Sequence, residues 1–413
     1  MELLSLIVLC AVIAVAFIFK INSGLASIAV ALVLSWVAGI PGSFLIKSFN
    51  NSLFLMLLGV MYLFSIAQEN KTLELFAKKT FALCKGHERL LPVVIFLIAT
   101  LMSAVGPGII SVTALISVLI IALAKEMNTE PIRLIPFGVL GAFAGGLTPI
   151  TPSGIVAITV AKENGITGLD MYLTVKMVLT CVVYAAILYF IVFKWHKHKN
   201  STSVNCEQAS IEAFSGKQIV TMIGIVVVAV VSSVFGVNVG LISFTVAVIL
   251  TLFKVGDEGA ALKKVPWNTL VMITGVGILI SLVTELGGIE LLSTQLSKMT
   301  TSTTAAAVMA VLSGVMSWVS SASGVVMPTL IPTVPDIVAS VSGANAMELV
   351  TSISIGANMA AFSPLSTCGA LMLAAYSSND ITAKERNKMF LQLFLLSAYG
   401  VVLSGILALL GAY

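Results

Sequence analysis

Hydrophobic residues along this chain form runs of about 20 positions, separated by short polar segments, from one end to the other. Runs of this length are typical of helices that cross a bilayer. Alternating ten-residue segments of the outer-membrane barrel type are absent from the sequence. The uninterrupted runs predict spans at about 3–19, 24–40, 50–67, 171–193, 218–235, 238–253, 267–286 and 389–411.

Two further apolar spans contain a break that is rich in proline. One covers about 133–161 and is interrupted at Thr148-Pro149-Ile150-Thr151-Pro152, and the other covers about 346–377 and is interrupted at Ser363-Pro364-Leu365-Ser366-Thr367. Proline removes a backbone donor, so a regular helix cannot continue through these segments. A broken helix is tolerated in a bilayer only where it is buried in protein or lines a polar cavity. Each break therefore indicates a place where a solute binds or passes.

Two other apolar segments predict re-entrant hairpins that enter and leave the membrane on one side. The segment at about 90–124 is interrupted at Gly106-Pro107-Gly108, and the segment at about 303–341 is interrupted at Ser320-Ser321-Ala322-Ser323-Gly324. Because their arms are short for a full span, a hairpin fits better than two crossings.

The order of spans, hairpin and broken span occurs twice. Met102-Ser103-Ala104-Val105 aligns with Met316-Ser317-Trp318-Val319, and Thr148-Pro149-Ile150-Thr151 aligns with Ser363-Pro364-Leu365-Ser366, at offsets of 214 and 215 positions. Such symmetry indicates two structural repeats, and paired breaks indicate a transporter's substrate site. We expect a first repeat at 1–194, a cytoplasmic linker at 195–217 and a second repeat at 218–413.

Lysine and arginine set the predicted orientation. They concentrate at 71–89, 125–133, 194–217, 254–264 and 384–388, which we place on the cytoplasmic side, whereas 162–170 and 285–301 are placed outside. With five crossings in each half, both termini lie outside and the halves are inverted. The predicted fold class is an all-α polytopic membrane protein with two inverted repeats, each of five transmembrane helices (one broken) plus a re-entrant hairpin.

Composition agrees with an integral protein of the cytoplasmic membrane. Hydrophobic residues make up 58% of the 413 positions and charged residues only 10%, which no soluble globular domain matches. The net charge of +4 resides in short loops and forms no stripe for nucleic acid. The five cysteines lie far apart and imply neither a disulfide framework nor a metal site. The segment at 70–89 predicts an amphipathic helix on the membrane surface, and the first apolar run is interpreted as a span, not a signal peptide.

The breaks and hairpin tips supply the candidate chemistry. Starts of half-helices carry partial positive charge and free amides, which attract an anion. The predicted substrate-binding residues are Thr148, Pro149, Thr151, Ser153, Ser363, Pro364, Ser366, Thr367 and Asn358. The predicted cation-binding residues, for a co-transported Na⁺, are Ser103, Gly106, Gly108, Ser320, Ser321, Ser323 and Gly324. No other cofactor is expected. Each hydroxyl also has a structural interpretation, because Ser and Thr in membrane helices often bond to local carbonyls.

Other functions are less well supported by the residues. All three histidines (His87, His196, His198) fall in loops, which argues against a proton relay or an intramembrane enzyme. A cation/proton antiporter needs an embedded carboxylate, and neither break contains one. An inorganic-anion permease remains open as an alternative, and a channel does not require two inverted broken helices.

Several motifs resemble those of a known superfamily. Gly145-Gly146-Leu147-Thr148-Pro149-Ile150 resembles the Thr-Pro-Ile break of the ion transporter superfamily, which includes the divalent-anion:sodium symporters. Ser363-Pro364-Leu365-Ser366-Thr367, followed by Gly369-Ala370, looks closer to the malonate carrier (MatC) branch, and Pro266-Trp267-Asn268 at the start of a span is also similar to that superfamily.

This resemblance implies a homodimer in which a transport domain slides against a scaffold as an elevator. It also implies uptake of a small dicarboxylate, malonate or a C4-dicarboxylate, coupled to Na⁺ or H⁺. The symporters carry Ser-Asn-Thr at both hairpin tips, whereas neither tip of this chain contains an asparagine. The symporters' sodium ligands therefore do not transfer to these positions, and only the two breaks carry over.

Overall fold

A computed structural model of the chain describes residues 1–82, 90–126, 129–194, 213–235, 237–377 and 382–413. Within these ranges the chain is helical, with no strand. Seven of the described helices are long and apolar enough to cross a membrane, and seven shorter apolar helices accompany them. The all-α polytopic fold class is thereby confirmed. The three histidines and most of the predicted linker lie outside the described residues.

The described residues of the first half form ten α-helices: α1 Glu2–Phe19, α2 Ser23–Ala38, α3 Gly42–Lys47, α4 Asn51–Glu69, α5 Thr72–Ala82, α6 Leu91–Ala104, α7 Gly108–Glu126, α8 Ile135–Gly145, α9 Pro152–Glu163 and α10 Leu169–Lys194. A 3₁₀ turn, Pro131–Arg133, precedes α8. The predicted amphipathic segment is represented by α5 as far as Ala82, and its remainder lies outside the described residues.

The second half contains α11 Gly216–Phe235, α12 Val239–Leu252, α13 Glu258–Lys264, α14 Trp267–Glu285, α15 Gly288–Lys298, α16 Ala305–Ser317, α17 Met327–Leu330, α18 Val334–Ser340, α19 Ala346–Met359, α20 Thr367–Ser377 and α21 Ala383–Leu409. A π-helical turn, Ala322–Val326, precedes α17, and 3₁₀ turns follow α17 and α19 at Ile331–Thr333 and Ala360–Phe362. The arm after the second tip is irregular because prolines at 328, 332 and 335 each prevent one helical hydrogen bond.

The starts of α2 and α12 are fixed in the same way. Asn22 accepts hydrogen bonds from the amides of Gly24 and Leu25, and Asn238 accepts from those of Gly240 and Leu241. An asparagine at this position supplies the first amides with the acceptor that the helix lacks. The two caps lie 216 positions apart in the chain.

Helices of the two halves pack on each other through glycines. A Cβ on Gly24 of α2 would lie 2.2 Å from the carbonyl oxygen of Val271 in α14, and one on Gly240 of α12 would lie 2.6 Å from that of Leu55 in α4. The close approach therefore requires glycine at both positions. The pairs run parallel, since Asn22 also donates to the Asn268 carbonyl at the start of α14.

The hairpins pack on the broken helices in the same manner. A Cβ on Gly141 of α8 would lie 2.3 Å from the carbonyl oxygen of Phe96 in α6, and one on Gly356 of α19 would lie 2.1 Å from that of Ala310 in α16. Gly145 meets the Thr100 carbonyl at 2.2 Å. The glycines before the first break are therefore close-packing positions. These contacts also place each hairpin tip beside a break.

Candidate functional site

The first break is held by two threonine side chains. The Thr151 hydroxyl lies 2.7 Å from the carbonyl oxygen of Gly146 and 2.8 Å from that of Thr148, and it accepts from the amide of Gly154. Thr148 donates to the carbonyl of Ala104 at the end of α6, at 2.9 Å. Together these contacts close the loop between α8 and α9 and tie it to the first hairpin.

The second break repeats this arrangement. The Ser366 hydroxyl lies 2.8 Å from the carbonyl oxygen of Ala361 and 2.7 Å from that of Ser363, and it accepts from the amide of Gly369. Ser363 donates to the carbonyl of Trp318, next to the second tip, at 3.3 Å. Local hydrogen bonds from hydroxyls to carbonyls therefore hold both breaks in shape without a ligand.

A hydroxyl has one hydrogen to donate. In Thr148, Thr151, Ser363 and Ser366 that hydrogen points to a backbone carbonyl. In this conformation these side chains position the loops, and Thr151 and Ser366 also cap the starts of α9 and α20 by accepting from the amides of Gly154 and Gly369. Ser153 is half-buried in the first turn of α9, and Thr367 is exposed at the start of α20.

The first hairpin tip is packed closely. Gly106 and Gly108 have φ of +136° and +76°, which a residue with a side chain rarely adopts. A Cβ on Gly106 would overlap the ring of Phe64 in α4, and one on Gly108 would lie 2.9 Å from Pro152. The Ser103 hydroxyl is buried and has no hydrogen-bond partner. This tip is thus closed against α4 and α9, with one unsatisfied oxygen behind it.

The second tip instead borders a cavity of about 170 Å³. Ser320 and Ser321 from the tip, and Ser366 and Thr367 from the second break, line it together with Val319, Val325 and Leu365. The lining also includes the end of α1, Asn22 and Ser23 at the start of α2, and Met272 of α14. Four residues from the predicted substrate and cation sets therefore lie on one cavity. Among the described residues that line it, none is charged.

Trp318 links the second tip to the second break through hydrogen bonds. Its indole nitrogen donates to the Ser397 hydroxyl at 2.9 Å, and Ser397 donates to the carbonyl of Ala360 at 2.6 Å. Its carbonyl accepts from Ser363, and its ring lies 5.3 Å from that of Phe394. The position equivalent to Trp318 in the first half is Ala104, whose carbonyl accepts from Thr148 in the same way but whose methyl side chain cannot make the indole contacts.

The remaining predicted residues lie away from this cavity. Asn358 is buried in α19 and donates to the Ser354 carbonyl at 2.7 Å. Pro149 is half-buried and Pro364 buried within the breaks. Ser323 is buried in the π-helical turn, and a Cβ on Gly324 would lie 3.0 Å from Met272. The structure thus joins the second tip to the second break but does not bring all predicted residues to one surface.

The described residues contain no cluster of three or more His, Cys, Asp or Glu side chains that could hold a metal ion. The predicted cation site depends on hydroxyl and carbonyl oxygens at the tips. Such ligands suit Na⁺ better than a transition metal.

Sequence reasoning missed the α1 side of the cavity and the Trp318 link. Ile13, Phe17 and Ile21 belong to an ordinary apolar span, and no local signal separates a cavity-lining residue from a lipid-facing one. Trp318 did carry a signal, because an aromatic residue replaces alanine at an otherwise matched tip position.

Comparisons with known proteins match this chain to transporters. The family model described as CitMHS, citrate transporter, matches residues 13–356. A search of curated protein sequences gives no match to this chain. The crystal structure of the Alcanivorax borkumensis YdaH transporter, reported to have an unusual topology, matches with a TM-score of 0.60 and 11% identity. The match covers 89% of this chain and 86% of that one, and at this identity it shows the fold alone. These matches support the superfamily resemblance and do not single out the malonate carrier branch.

Proposed function

The chain belongs to the citrate transporter family, and from that membership we propose that it imports a small dicarboxylate, malonate or a C4-dicarboxylate, coupled to Na⁺ or H⁺. The family makes it a multi-pass membrane transporter of small organic anions and not an enzyme. The identity of the substrate as a dicarboxylate, and the coupling to Na⁺ or H⁺, are what we propose beyond family membership.

One observation carries the proposed substrate site. The cavity places hydroxyls of the second tip and the second break, together with the start of α20, on one surface. A helix start offers amides and partial positive charge to a carboxylate. Thr367 is the exposed hydroxyl at that helix start. Because the cavity lining includes no charged residue among the described positions, charge neutralisation would fall to a co-transported cation or a proton.

The proposed cation site uses the tips. Ser103 is a buried hydroxyl without a partner beside the first tip, and such an oxygen is expected to bind a water or an ion. Gly106 and Gly108 belong to the same tip, while Ser320, Ser321, Ser323 and Gly324 form the corresponding candidate set in the second half. This set supports Na⁺ coupling, and H⁺ is the alternative.

The contacts between halves support inverted repeats. Asn22 and Gly24 of α2 contact Asn268 and Val271 of α14 in parallel order. Because α2 and α4 are consecutive spans with opposite directions, α14 runs opposite to α4, its counterpart in the first half. Such inverted halves suit elevator-type alternating access around the breaks. A homodimer in the cytoplasmic membrane, with both termini outside, completes the proposal.

The test is uptake of labelled solute into liposomes that contain the purified protein. An imposed Na⁺ or H⁺ gradient should drive accumulation of labelled malonate or succinate, and uptake of labelled citrate and labelled sulfate is measured in parallel. If neither gradient drives uptake of any carboxylate, or if only sulfate is accumulated, the dicarboxylate proposal fails. If citrate alone is accumulated, the substrate is the one that the family description names.

A further inference from the structure

The cavity beside the second tip lies where two hydrophobic clusters of the protein meet. One cluster is built mainly from α1, α2 and α14, and Ile13 and Met272 of the cavity lining pack on it. The other cluster contains the broken helices, and it includes Phe362 and Cys368 on either side of the second break. A ligand in the cavity therefore contacts elements that belong to both clusters.

Asn22 and Ser23 bring the start of α2 to this cavity. Asn22 is used within the protein, because its oxygen accepts from the amides of Gly24 and Leu25 and its nitrogen donates to the carbonyl of Asn268. Ser23 is half-buried, and among the described residues neither its hydroxyl nor its amide has a hydrogen-bond partner. Ser23 therefore has two donors available for a ligand, on a turn that Asn22 holds in place.

The second tip and the second break supply two further available hydroxyls. Ser321 accepts from the amide of Gly324, which leaves its own hydrogen for a ligand. Thr367 is exposed at the start of α20, and its hydroxyl has no partner in the described part of the chain. Ser320 and Ser366 instead donate to backbone carbonyls. Available hydroxyls are therefore found at the tip and the break as well as at the start of α2.

This distribution fits a ligand that has negatively charged oxygens at both ends. Ser23 and Thr367 are the first residues of α2 and α20, where the helix backbone adds partial positive charge. The described residues of the lining include no charged side chain that would repel an anion. The cavity of about 170 Å³ is large enough for malonate or succinate, since one of about 150 Å³ accommodates benzene. A monocarboxylate would leave one of the two helix starts without a charged acceptor.

We propose that Ser23 is a specificity-determining residue of the carboxylate site, whose hydroxyl and amide bind one carboxylate of the ligand while Ser321 and Thr367 bind the other. The proposal rests on the proposed dicarboxylate transport and adds to its site a residue that lies outside the tips and the breaks. A bound dicarboxylate then bridges the two hydrophobic clusters. Loss of the Ser23 hydroxyl should weaken binding without loosening either cluster.

The test is calorimetric binding of malonate and succinate to the detergent-purified protein. Ser23→Ala should weaken binding of both acids about tenfold or more, because a charge-assisted hydrogen bond is lost. Its melting temperature without ligand should match that of the native protein. Ser23→Thr keeps the hydroxyl and should bind within about threefold of the native affinity. Ser27→Ala is the matched control, because Ser27 lies one turn further along α2, is buried and does not line the cavity.

The possible failures have different meanings. If malonate binds and Ser23→Ala binds it as tightly as the native protein, the extension of the site to α2 is overturned, and Thr367→Ala then shows whether the carboxylate site itself stands. If Ser27→Ala weakens binding as strongly as Ser23→Ala, or if Ser23→Thr does not restore it, the effect comes from the packing of α2 and the inference is overturned. If the native protein binds neither acid, the proposed function fails and the inference fails with it.

Discussion

Thr151 and Ser366 lie 215 positions apart and make the same hydrogen bonds. Each hydroxyl lies within 2.8 Å of the carbonyls three and five positions before it, and each accepts from the amide three positions after it. The following glycines correspond as well, since a Cβ on Gly154 or Gly369 would lie 1.9 or 2.0 Å from a break carbonyl. Hydroxyl and glycine together define one loop that occurs in both halves.

This correspondence predicts how substitutions at the second break behave. Ser366→Ala should lower the stability of the ligand-free protein by about 1–2 kcal/mol, because a buried carbonyl of the break loses its donor and the Gly369 amide loses its acceptor. Ser366→Thr should retain stability to within about 0.5 kcal/mol, since threonine performs this role at Thr151. The measurement is thermal unfolding of the detergent-purified protein.

Addition of malonate distinguishes a structural role of Ser366 in the break from a direct role in substrate binding. If the Ser366→Ala variant has a normal melting temperature without ligand, but malonate no longer raises that temperature, the hydroxyl binds substrate directly. That outcome would favour the simpler sequence-based hypothesis for this residue.

Close glycine packing predicts a second pair of outcomes. Gly356→Ala places a methyl group 2.1 Å from the Ala310 carbonyl, so α16 and α19 must separate, at a cost of about 1–3 kcal/mol. Gly277→Ala is the control, because no atom lies within 4 Å of its Cβ position and alanine favours helix by up to about 1 kcal/mol. Equal melting temperatures for both variants would contradict the packing described.

The helices and the breaks could be predicted from the sequence because each has a local cause. Apolar runs predicted spans such as 50–67, observed as Asn51–Glu69, and prolines predicted the interruptions at Thr148–Pro152 and Ser363–Thr367. The short helices α3 and α13 were not predicted, because six or seven residues carry too little periodicity.

The site was less predictable. Which hydroxyls donate to carbonyls depends on loop geometry, and which apolar residues of α1 meet the second tip depends on packing across more than 300 positions.

The Trp318 link predicts a kinetic effect on transport. Trp318→Phe keeps the ring beside Phe394 but removes the donor to Ser397, so the tip should be less well positioned and KM should rise by up to about tenfold, with kcat little changed. Ser397→Ala removes the same link, so the double variant should be no worse than the more impaired single one. Additive effects in liposome uptake would mean that Trp318 and Ser397 act separately.

The inverted orientation predicts opposite accessibility of two matched residues. Glu74 of α5 and Glu290 of α15 lie 216 positions apart, at equivalent places after α4 and α14. In a protein whose native cysteines are replaced, Glu290→Cys should react with a membrane-impermeant maleimide in intact cells. Glu74→Cys should react only after permeabilisation, and Thr167→Cys provides an external control. Labelling of Glu74→Cys and Glu290→Cys from the same side would contradict inversion.

The site at the second break is tested most directly by substrate protection of a cysteine introduced at Thr367→Cys. Malonate or another transported carboxylate should slow its reaction with a small thiol reagent, in proportion to occupancy, and leave Thr167→Cys unaffected. Ser23→Cys, which introduces a thiol elsewhere in the lining of the same cavity, should be protected likewise and serves as the probe if the substitution at 367 weakens binding. Unchanged labelling of both cavity cysteines, at a carboxylate concentration that saturates uptake, would show that the substrate binds elsewhere.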